Sequence, residues 1–175
     1  MKRVVIVGTS GSGKTTLGRQ ISHIFNIPHR DIDSFNWQEN WQALEKSQLR
    51  DVLNQFTDQE EWIIDGNYGS VKDITWKKAT HIIWLDYKLP FVLKRFFIRS
   101  FKRSYTKEIL WNNNRETLKN SIWGKESLFL WIFKTHHKLK KEYSTYQESP
   151  IYSAKFIRLI GAKETEAFIA KLTNK

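Results

Sequence analysis

The stretch GTSGSGKT, residues 8–15, constrains the fold of this chain more than any other feature of its sequence. It follows a β-branched apolar run at residues 4–7 and precedes a helix-compatible stretch at residues 16–25. Glycines in such a turn let successive backbone N–H groups point inward, and the helix that follows adds a favourable dipole. The pattern therefore predicts a P-loop that binds the phosphates of ATP. Its candidate phosphate-binding residues are Gly8, Ser10, Gly11, Ser12, Gly13, Lys14, Thr15 and Thr16.

Two side chains of this loop have specific expected roles. Lys14 should reach the β- and γ-phosphates, and the Thr15 hydroxyl should ligate Mg²⁺. A glycine-rich turn with a chance Lys-Thr pair is the structural alternative. That alternative does not explain why a strand, both terminal glycines and a helix all stand in register, so nucleotide binding is the first functional expectation.

Short apolar runs and helical patterns alternate along the chain. Strands are predicted at residues 3–7, 29–32, 62–65, 81–85 and 156–160. Helices are predicted at residues 16–26, 40–56, 90–104, 125–143 and 163–172. Asn40 is a plausible N-cap, and Pro90 suits a first helical turn. The alternation predicts an α/β fold in three layers, with a five-stranded parallel sheet covered by helices on both faces.

The length and charge of the chain predict its organisation. A chain of 175 residues suits one domain better than two. We expect a single domain over residues 1–175, with a basic lid or insertion at about residues 88–143. Between residues 88 and 142, fourteen Lys or Arg stand against four Glu, so this segment holds almost all of the net charge of +11. An anionic ligand is therefore expected there.

The same segment also contains ten aromatic residues, which leaves three interpretations open. Basic residues mixed with aromatic ones are typical of a nucleic-acid surface. They are equally typical of a solvated helical face over an aromatic core. A basic helix at a membrane surface, around residues 90–105, is less favoured because its aromatic side chains are expected to cover the sheet.

Composition argues against several classes of protein. There is no cysteine, so there is no disulfide framework and no Cys-based zinc site. The apolar run behind the basic N-terminus is only four residues long, far short of a signal-peptide core. No later segment approaches the roughly 20 apolar residues of a spanning helix. A cytoplasmic protein without a membrane partner is expected.

Aspartates follow three of the predicted strands. In a parallel sheet, ligands collect beyond the carboxyl ends of the strands, so these side chains are candidates for chemistry. Asp65 resembles a Walker B residue and should hold Mg²⁺, through water. Asp33, with Asp31 beside it, could accept a proton from a hydroxyl group or orient an acceptor. Asp86 is expected to be structural, because acidic residues also form ordinary turns.

The basic segment has its own candidate residues. Arg95, Arg99 and Arg103 repeat every four positions, so on a helix they line one face and could grip phosphates. His136 and His137 are neighbours on a later helix, where their side chains point about 100° apart. We expect this pair to lie at the surface rather than bind a metal, with phosphate contact as its candidate role.

Four features together resemble adenylate-kinase-like P-loop proteins: the P-loop, the aspartates after the second strand, the stretch WIIDGNYG at residues 62–69, and the arginine-spaced helix. Within that group, WIIDGNYG and the segment FNW at residues 35–37 most resemble the bacterial DNA topology modulation proteins. The likeness covers almost the whole chain and is weakest at residues 106–123. It implies a nucleoside- or metabolite-kinase fold with an ATP site and a mobile lid, in which Arg95 and Arg99 clamp phosphates.

One departure from that family bears on the acceptor. Adenylate kinases follow the third-strand Asp-Gly with Phe-Pro-Arg, whose arginine contacts an acceptor phosphate, whereas Asn67 and Tyr68 stand here. A hydroxyl acceptor seated by Asp33, Asn67 and Tyr68, with Trp37 or Trp41 stacking on a ring, fits these residues at least as well as a nucleoside monophosphate. Core packing is an equally good interpretation of both tryptophans.

These observations lead to two functional hypotheses. The first is a Mg²⁺-dependent kinase that transfers the γ-phosphoryl group of ATP to a nucleoside, nucleotide or other small hydroxylated acceptor, with Lys14, Asp33, Arg95 and Arg99 as catalytic residues. The alternative is a nucleic-acid-binding ATPase or regulatory protein that affects DNA topology. The sequence leaves the acceptor and the oligomeric state open.

Overall fold

The centre of the molecule is a parallel sheet of five short strands. The computed structural model describes residues 1–123 and 127–174. Its strands are β1 (Arg3–Gly8), β2 (His29–Asp31), β3 (Trp62–Asp65), β4 (His81–Leu85) and β5 (Phe156–Leu159). They pair in parallel in the order β2-β3-β1-β4-β5. The predicted parallel sheet is therefore confirmed, and no strand end differs from its predicted position by more than one residue.

Helices connect the strands and cover the sheet. They are α1 (Lys14–Phe25), α2 (Ile32–Asn36), α3 (Lys46–Thr57), α4 (Lys72–Lys78), α5 (Leu89–Thr106), α6 (Leu118–Ile122), α7 (Leu128–Glu148) and α8 (Ala162–Thr173). Short 3₁₀ turns lie at Glu39–Trp41, Gly69–Val71, Trp111–Asn113 and Ser153–Lys155. The α/β class and the three-layer arrangement follow the prediction.

Two apolar cores lie on opposite faces of the sheet. Successive side chains of a strand point to opposite faces, so Val4 and Ile6 enter one core while Val5 and Val7 enter the other. The first core is completed by α1, α5 and α8, and the second by α3, α4 and the later part of α7. Burial on both faces is why the three central strands, β1, β3 and β4, read as largely apolar runs, whereas the edge strand β2 is polar.

The helix predicted at residues 40–56 begins later than expected. Asn40 has φ of +58° inside the Glu39–Trp41 turn, so it does not cap a helix, and α3 starts at Lys46. An antiparallel bridge between Trp37 and Ala43 closes a loop in front of α3. Some of the apolar residues whose spacing predicted a longer helix lie in this loop, and only those from Leu49 onward lie in α3.

Other helices differ from expectation for local reasons. Ser127 caps α7 through its side chain, which accepts a hydrogen bond from the Leu130 N–H, and α7 runs to Glu148 rather than ending near residue 143. The predicted start at residue 125 lies outside the described residues. The short helices α2 and α4 were not predicted, because neither is long enough to show a clear periodicity.

The basic segment is only partly separate from the main body. Helices α5 and α7 place Val92, Phe96, Ile132 and Tyr143 in the two cores, so both belong to the layers that cover the sheet. Between these helices the chain makes a turn and the short helix α6, over residues 107–123. This stretch is the candidate for the lid.

Helix α5 also has an outer face that the sheet does not cover. Its side chains are exposed at Phe91, Lys94, Ile98, Phe101, Lys102 and Tyr105. The expectation that the aromatic residues of this helix cover the sheet is therefore correct for Phe96. It is wrong for Phe91, Phe101 and Tyr105, which are exposed. Within the described residues, no helix combines the length and apolar character that crossing a membrane requires.

Candidate active site

The P-loop joins β1 to α1 and packs beneath α5. Gly11 and Gly13 have φ of +89° and +99°, in the left-handed region that favours glycine. A Cβ atom at Gly13 would lie 2.8 Å from Nη2 of Arg95, and one at Gly11 would lie 2.9 Å from the carbonyl oxygen of Val92. These glycines therefore let α5 approach the loop, and the approach brings the Arg95 guanidinium against it.

Lys14 lies on the inner side of this loop. Its ammonium donates to the Gly8 carbonyl oxygen at 3.0 Å and to that of Thr9 at 3.5 Å. Burial lowers the pKa of Lys14, while the nearby Asp65 and Asp31 carboxylates act against that shift. The lysine is thus held inside the turn. A phosphate bound by the backbone N–H groups of the P-loop would lie beside it.

The remaining predicted loop residues occupy three environments. Ser10 lines the cleft in front of the loop, and Thr16 is exposed in the first turn of α1. Ser12 is buried, and its hydroxyl has no hydrogen-bond partner within residues 1–123 and 127–174. The whole set surrounds the N-terminus of α1, as the P-loop pattern predicts.

Asp65 stands beside Thr15 at the end of β3. The Thr15 hydroxyl donates to Oδ1 of Asp65 at 3.1 Å, and Nε2 of His29 lies 2.8 Å from Oδ2. Parallel pairing places Asp31 opposite Asp65 in register, so the ends of β2 and β3 present their carboxylates together. A hydroxyl and a carboxylate side by side form an oxygen donor pair suited to Mg²⁺.

His29 is a site residue that sequence reasoning missed. It is nearly buried, and Gly18 makes room for it, because a Cβ atom at position 18 would lie 2.4 Å from Nε2 of the imidazole. The available signal was the alternation along β2, which points His29 and Asp31 to the same side of the strand. With Asp65 on the neighbouring strand, that alternation places the imidazole behind the carboxylate.

Asp31 connects this pair to the acceptor side of the site. Its carboxylate caps α2 by accepting from the Asp33 N–H at 3.0 Å. Burial, followed by the negative charges of Asp65 and Asp33, raises the pKa of Asp31 to about 8. The raised pKa favours the protonated form of Asp31 at neutral pH.

Asp33 is held by two donors. Oδ1 accepts from the Tyr68 hydroxyl at 2.5 Å and from the Trp37 indole N–H at 3.3 Å. Burial and the charge of Asp33 raise the pKa of Tyr68, which keeps its hydroxyl protonated and able to donate. Tyr68 and Trp37 were predicted to contact substrate, and the structure places both against Asp33, where they orient its carboxylate.

The side chain of Asn67 forms two hydrogen bonds with the backbone of Gly8, the first glycine of the P-loop. Its Oδ1 accepts from the Gly8 N–H at 3.1 Å, and its Nδ2 donates to the Gly8 carbonyl oxygen at 2.7 Å. The Tyr143 hydroxyl donates to the same Oδ1 at 3.0 Å. Substrate contact by Asn67 stays a prediction; its amide is already bonded to the loop and to α7, which favours a positioning role.

His136 forms a second link between α7 and the loop. Nδ1 of His136 lies 3.0 Å from the Thr9 hydroxyl, and the side chain is buried. Burial lowers the pKa of His136. The expectation that His136 lies at the surface is therefore wrong, because this face of α7 packs on the P-loop; its neighbour His137 is exposed.

The three arginines of α5 share a side of the helix but not an environment. Arg95 lies at Gly13, and Arg99 lines the cleft. Burial lowers the pKa of Arg99, and its Nε has no hydrogen-bond partner in the described part of the chain. Arg103 donates to Glu116 at 3.0 Å. Arg95 and Arg99 are thus placed to meet an anion, whereas Arg103 is already paired.

Asp86 has the structural surroundings that were expected of it. Its carboxylate accepts from Nε of Arg158 at 3.0 Å and lies 3.4 Å from Nζ of Lys140. These contacts join the end of β4 to β5 and α7. They lie outside the cleft described next.

A cleft of about 550 Å³ is lined by several of the predicted site residues. Its floor contains Lys14, Thr15, Asp31, Asp33, Asp65 and Arg99. Its lining also includes three apolar residues, Ile109, Leu110 and Trp111, which we call the roof. Arg19, Arg30, Arg103 and Glu108 line the cleft as well. Trp37 and Trp41, one of which was expected to stack on an acceptor ring, contact each other edge to face with ring centroids 5.7 Å apart, and stacking on an acceptor stays a prediction.

The sheet order and this loop form a nucleoside-kinase-like P-loop α/β fold, and solved structures of known proteins resemble it. No protein-family model matches the chain. Shikimate kinase of Staphylococcus epidermidis is 27% identical over 111 residues, covering 53% of this chain and 62% of that enzyme. Shikimate kinase of a Sulfurihydrogenibium species is 26% identical over 114 residues, covering 54% and 66%. The chain thus spans less than two thirds of the length of these relatives.

Solved structures resemble the chain over nearly its full length. Shikimate kinase from Bacteroides thetaiotaomicron superposes with a TM-score of 0.62, covering 99% of this chain and 97% of the other at 15% identity. Shikimate kinase from Acinetobacter baumannii, in complex with shikimate, and a gluconokinase from Sinorhizobium meliloti both give 0.54 at 15% identity; they cover 100% and 99% of this chain, and 95% and 94% of their own. The predicted adenylate-kinase-like P-loop fold is thereby confirmed.

Proposed function

We propose that the protein is a Mg²⁺-dependent kinase that transfers the γ-phosphoryl group of ATP to a hydroxyl group of a small acceptor. The observation that carries this proposal is the cleft itself. Lys14, the pair formed by Thr15 and Asp65, and the carboxylate of Asp33 all face it. A phosphate-binding lysine, a metal-binding pair and a candidate base around one space are the parts that phosphoryl transfer requires.

The residues present suit ATP and Mg²⁺. Thr15 and Asp65 supply two adjacent oxygen ligands, 3.1 Å apart. Within the described ranges there is no group of three or more His, Cys, Asp or Glu side chains arranged to hold a metal. That agrees with Mg²⁺, which in kinases needs one or two protein ligands and completes its octahedron with water and phosphate oxygens. Bound there, the ion would neutralise charge on the phosphates.

The transfer step would use Asp33 and the arginines of α5. The acceptor oxygen bonds to the γ-phosphorus as the bond from that phosphorus to the β–γ bridging oxygen breaks. The hydroxyl proton passes to the Asp33 carboxylate, and ADP leaves. Arg99, buried at the same cleft, and Arg95, against Gly13, lie where negative charge would develop on the transferred group.

Two observations support a hydroxyl acceptor over a phosphate acceptor. Tyr68 and Trp37 orient Asp33 as a proton acceptor, which suits a hydroxyl group better than a phosphate. The similar proteins include shikimate kinases and a gluconokinase, and one of them is a complex with shikimate. These names support a small hydroxylated acceptor for this chain and make shikimate and gluconate the first compounds to test.

Two finer hypotheses from the sequence stay predictions. One is membership of the DNA topology modulation proteins, with nucleic acid as a partner, for which the exposed basic and aromatic outer face of α5 is the relevant feature. The other is a cytoplasmic location. A nucleic-acid-stimulated ATPase would release phosphate to water instead of transferring it, so an assay can separate the two functions.

The test is a transfer assay with γ-phosphate-labelled ATP and Mg²⁺. The panel holds shikimate, gluconate, nucleosides, nucleoside monophosphates and duplex DNA. We expect label on one small hydroxylated compound, with turnover at least about a hundredfold lower in Lys14→Ala and unchanged in Lys94→Ala, an exposed lysine of α5. Label released only as free phosphate, and more of it with DNA, would overturn the kinase assignment.

A further inference from the structure

Two small turns of similar construction face each other beside the cleft. The first, residues 37–43, is closed by an antiparallel bridge between Trp37 and Ala43; the second, residues 109–115, is closed by one between Ile109 and Arg115. Each contains a 3₁₀ turn with an asparagine in left-handed conformation. We name residues 37–43 the acceptor turn and residues 109–115 the lid turn.

The side chain of Asn114 joins the two turns. Its Oδ1 accepts from the Trp41 N–H at 2.7 Å, and its Nδ2 donates to the carbonyl oxygens of Gln38 at 2.7 Å and Trp111 at 2.8 Å. The side chain is buried, with 3% exposure. A buried amide with its acceptor and both its donors engaged specifies one geometry, because any slip leaves polar groups unpaired.

Further contacts reinforce this joint. The Asn112 amide donates to the Trp37 carbonyl oxygen at 2.6 Å, and the Trp41 indole N–H donates to the Arg115 carbonyl oxygen at 3.3 Å. The ring of Trp41 makes edge-to-face pairs with the rings of Trp37 and Trp111, with centroids 5.7 and 6.3 Å apart. The two turns therefore pack as one unit across more than 70 residues of sequence.

The lid turn is also anchored on its far side. Oε1 of Glu116 accepts from the hydroxyls of Ser100 at 2.5 Å and Ser121 at 2.8 Å, and Oε2 accepts from Arg103. These bonds tie the exit of the turn to α5 and α6. Fixed at both sides, the lid turn holds Ile109, Leu110 and Trp111 as the apolar roof of the cleft.

The acceptor turn is hydrogen-bonded to the carboxylate of Asp33, the proposed proton acceptor, through Trp37. The Trp37 indole donates to Asp33, and the same residue accepts from Asn112 through its carbonyl oxygen. The joint between the turns thus sets the position of the roof relative to Asp33. Because Asp33 and the roof line the same cleft, a compound bound there can contact both a carboxylate and apolar residues.

From this geometry we infer an acceptor class and a positioning residue, both of which rest on the proposed kinase function. The acceptor is a hydroxylated compound with an apolar face, such as one side of a carbon ring, that packs against the roof while its hydroxyl group reaches Asp33. Asn114 is the positioning residue that holds the roof at the distance from Asp33 that this compound requires.

The experiment compares the same substitution at neighbouring asparagines. Asn114→Asp keeps the size of the side chain and its acceptor for Trp41, but replaces the donor to Gln38 and Trp111 with an oxygen that repels both carbonyls. Asn113→Asp adds the same charge one residue away, at an exposed position of the same turn. The acceptor for the kinetics is the best substrate of the panel described above.

We expect Asn114→Asp to raise the KM for the acceptor about tenfold or more, with the KM for ATP within about twofold of its starting value. Asn113→Asp should leave both constants unchanged. Leu110→Gln, which makes the roof polar at similar length, should also raise the KM for the acceptor alone. Equal effects of the two Asp variants, or a rise in the KM for ATP as large as that for the acceptor, would overturn the inference.

Hydrogen exchange gives a readout that needs no substrate. The Trp41 N–H is bonded to the side chain of Asn114, so residues 37–43 and 109–115 should exchange faster in Asn114→Asp and at the original rate in Asn113→Asp. Unchanged exchange in both variants would show that Asn114 does not hold the turns together. If no panel compound is phosphorylated, the kinase assignment fails, while the exchange result still decides the role of Asn114.

Discussion

The imidazole of His29 lies 2.8 Å from the carboxylate of Asp65, on the side away from the Thr15 hydroxyl. Asp65 is therefore held between a hydroxyl that would share its metal ion and a histidine that fixes its orientation. Groups behind a metal ligand typically change metal affinity or activity by about 10–100-fold when they are removed. His29 is the residue in this position.

Replacing His29 should weaken the use of Mg²⁺. We expect His29→Ala to raise the Mg²⁺ concentration for half-maximal activity about tenfold or more. His29→Asn, which keeps a donor, should recover part of the loss. The measurement is a Mg²⁺ titration of turnover at saturating ATP. His23→Ala, an exposed histidine of α1, is the control and should match the unmodified chain; a matching loss there would remove the special role of His29.

Replacing Gly18 by alanine should weaken the use of Mg²⁺ as replacing His29 does, because the added methyl group displaces the His29 ring. Alanine in a helix interior is more stable than glycine by about 1 kcal/mol. At this position, however, the new Cβ atom would lie 2.4 Å from Nε2 of His29, so the ring has to move away from Asp65. Gly18→Ala should therefore lose Mg²⁺-dependent turnover while its melting temperature changes little. Activity equal to that of the unmodified chain would show that His29 need not hold its place.

The sequence identified those features of the site that depend on local patterns. The P-loop, the five strands and the strand-end position of Asp65 each follow from residues that are close in sequence, so their predicted positions agree with the structure to within one residue at the strand ends. Asp31 and Asp33 were found in the same way. Which of these carboxylates holds a proton was not predictable, because that depends on burial and on Asp65 from another strand.

Features that join distant segments were missed. The bond between His29 and Asp65 spans 36 residues, and those of Asn114 to the acceptor turn span 73 and 76. No periodicity of a single element encodes them. The burial of His136 was missed for a related reason: helical spacing shows that α7 has faces, but not which face packs on the P-loop.

Substitutions at Asp33 and Tyr68 distinguish proton transfer by Asp33 from the positioning of its carboxylate. Asp33→Asn removes the proton acceptor, so it should reduce turnover by about a hundredfold or more and leave ATP binding nearly unchanged. Tyr68→Phe removes only the 2.5 Å hydrogen bond to Asp33 and should reduce turnover by about tenfold. Turnover with the best acceptor and the dissociation constant of ATP distinguish these outcomes. Equal losses of turnover and ATP binding in Asp33→Asn would assign Asp33 a structural role.

The proton held by Asp31 should make stability depend on pH. Burial and the nearby charges of Asp65 and Asp33 raise the pKa of Asp31 from 3.8 to about 8, so between these values the folded chain binds more protons here than the unfolded chain does. The contribution of this group to stability is then complete below about pH 4 and is lost as the pH rises toward about 8. Asp31→Asn removes the titrating group but keeps an oxygen for the Asp33 N–H.

The stability of Asp31→Asn relative to the unmodified chain should therefore increase as the pH rises from 5 to 8, by on the order of 1 kcal/mol or more. Urea unfolding without nucleotide, and with a chelator to remove divalent ions, measures this difference. Asp51→Asn, at an exposed position of α3, should show a constant difference across the range. Parallel pH curves for Asp31→Asn and the unmodified chain would mean that Asp31 is ionised throughout, and that Lys14 balances all three carboxylates of the cleft.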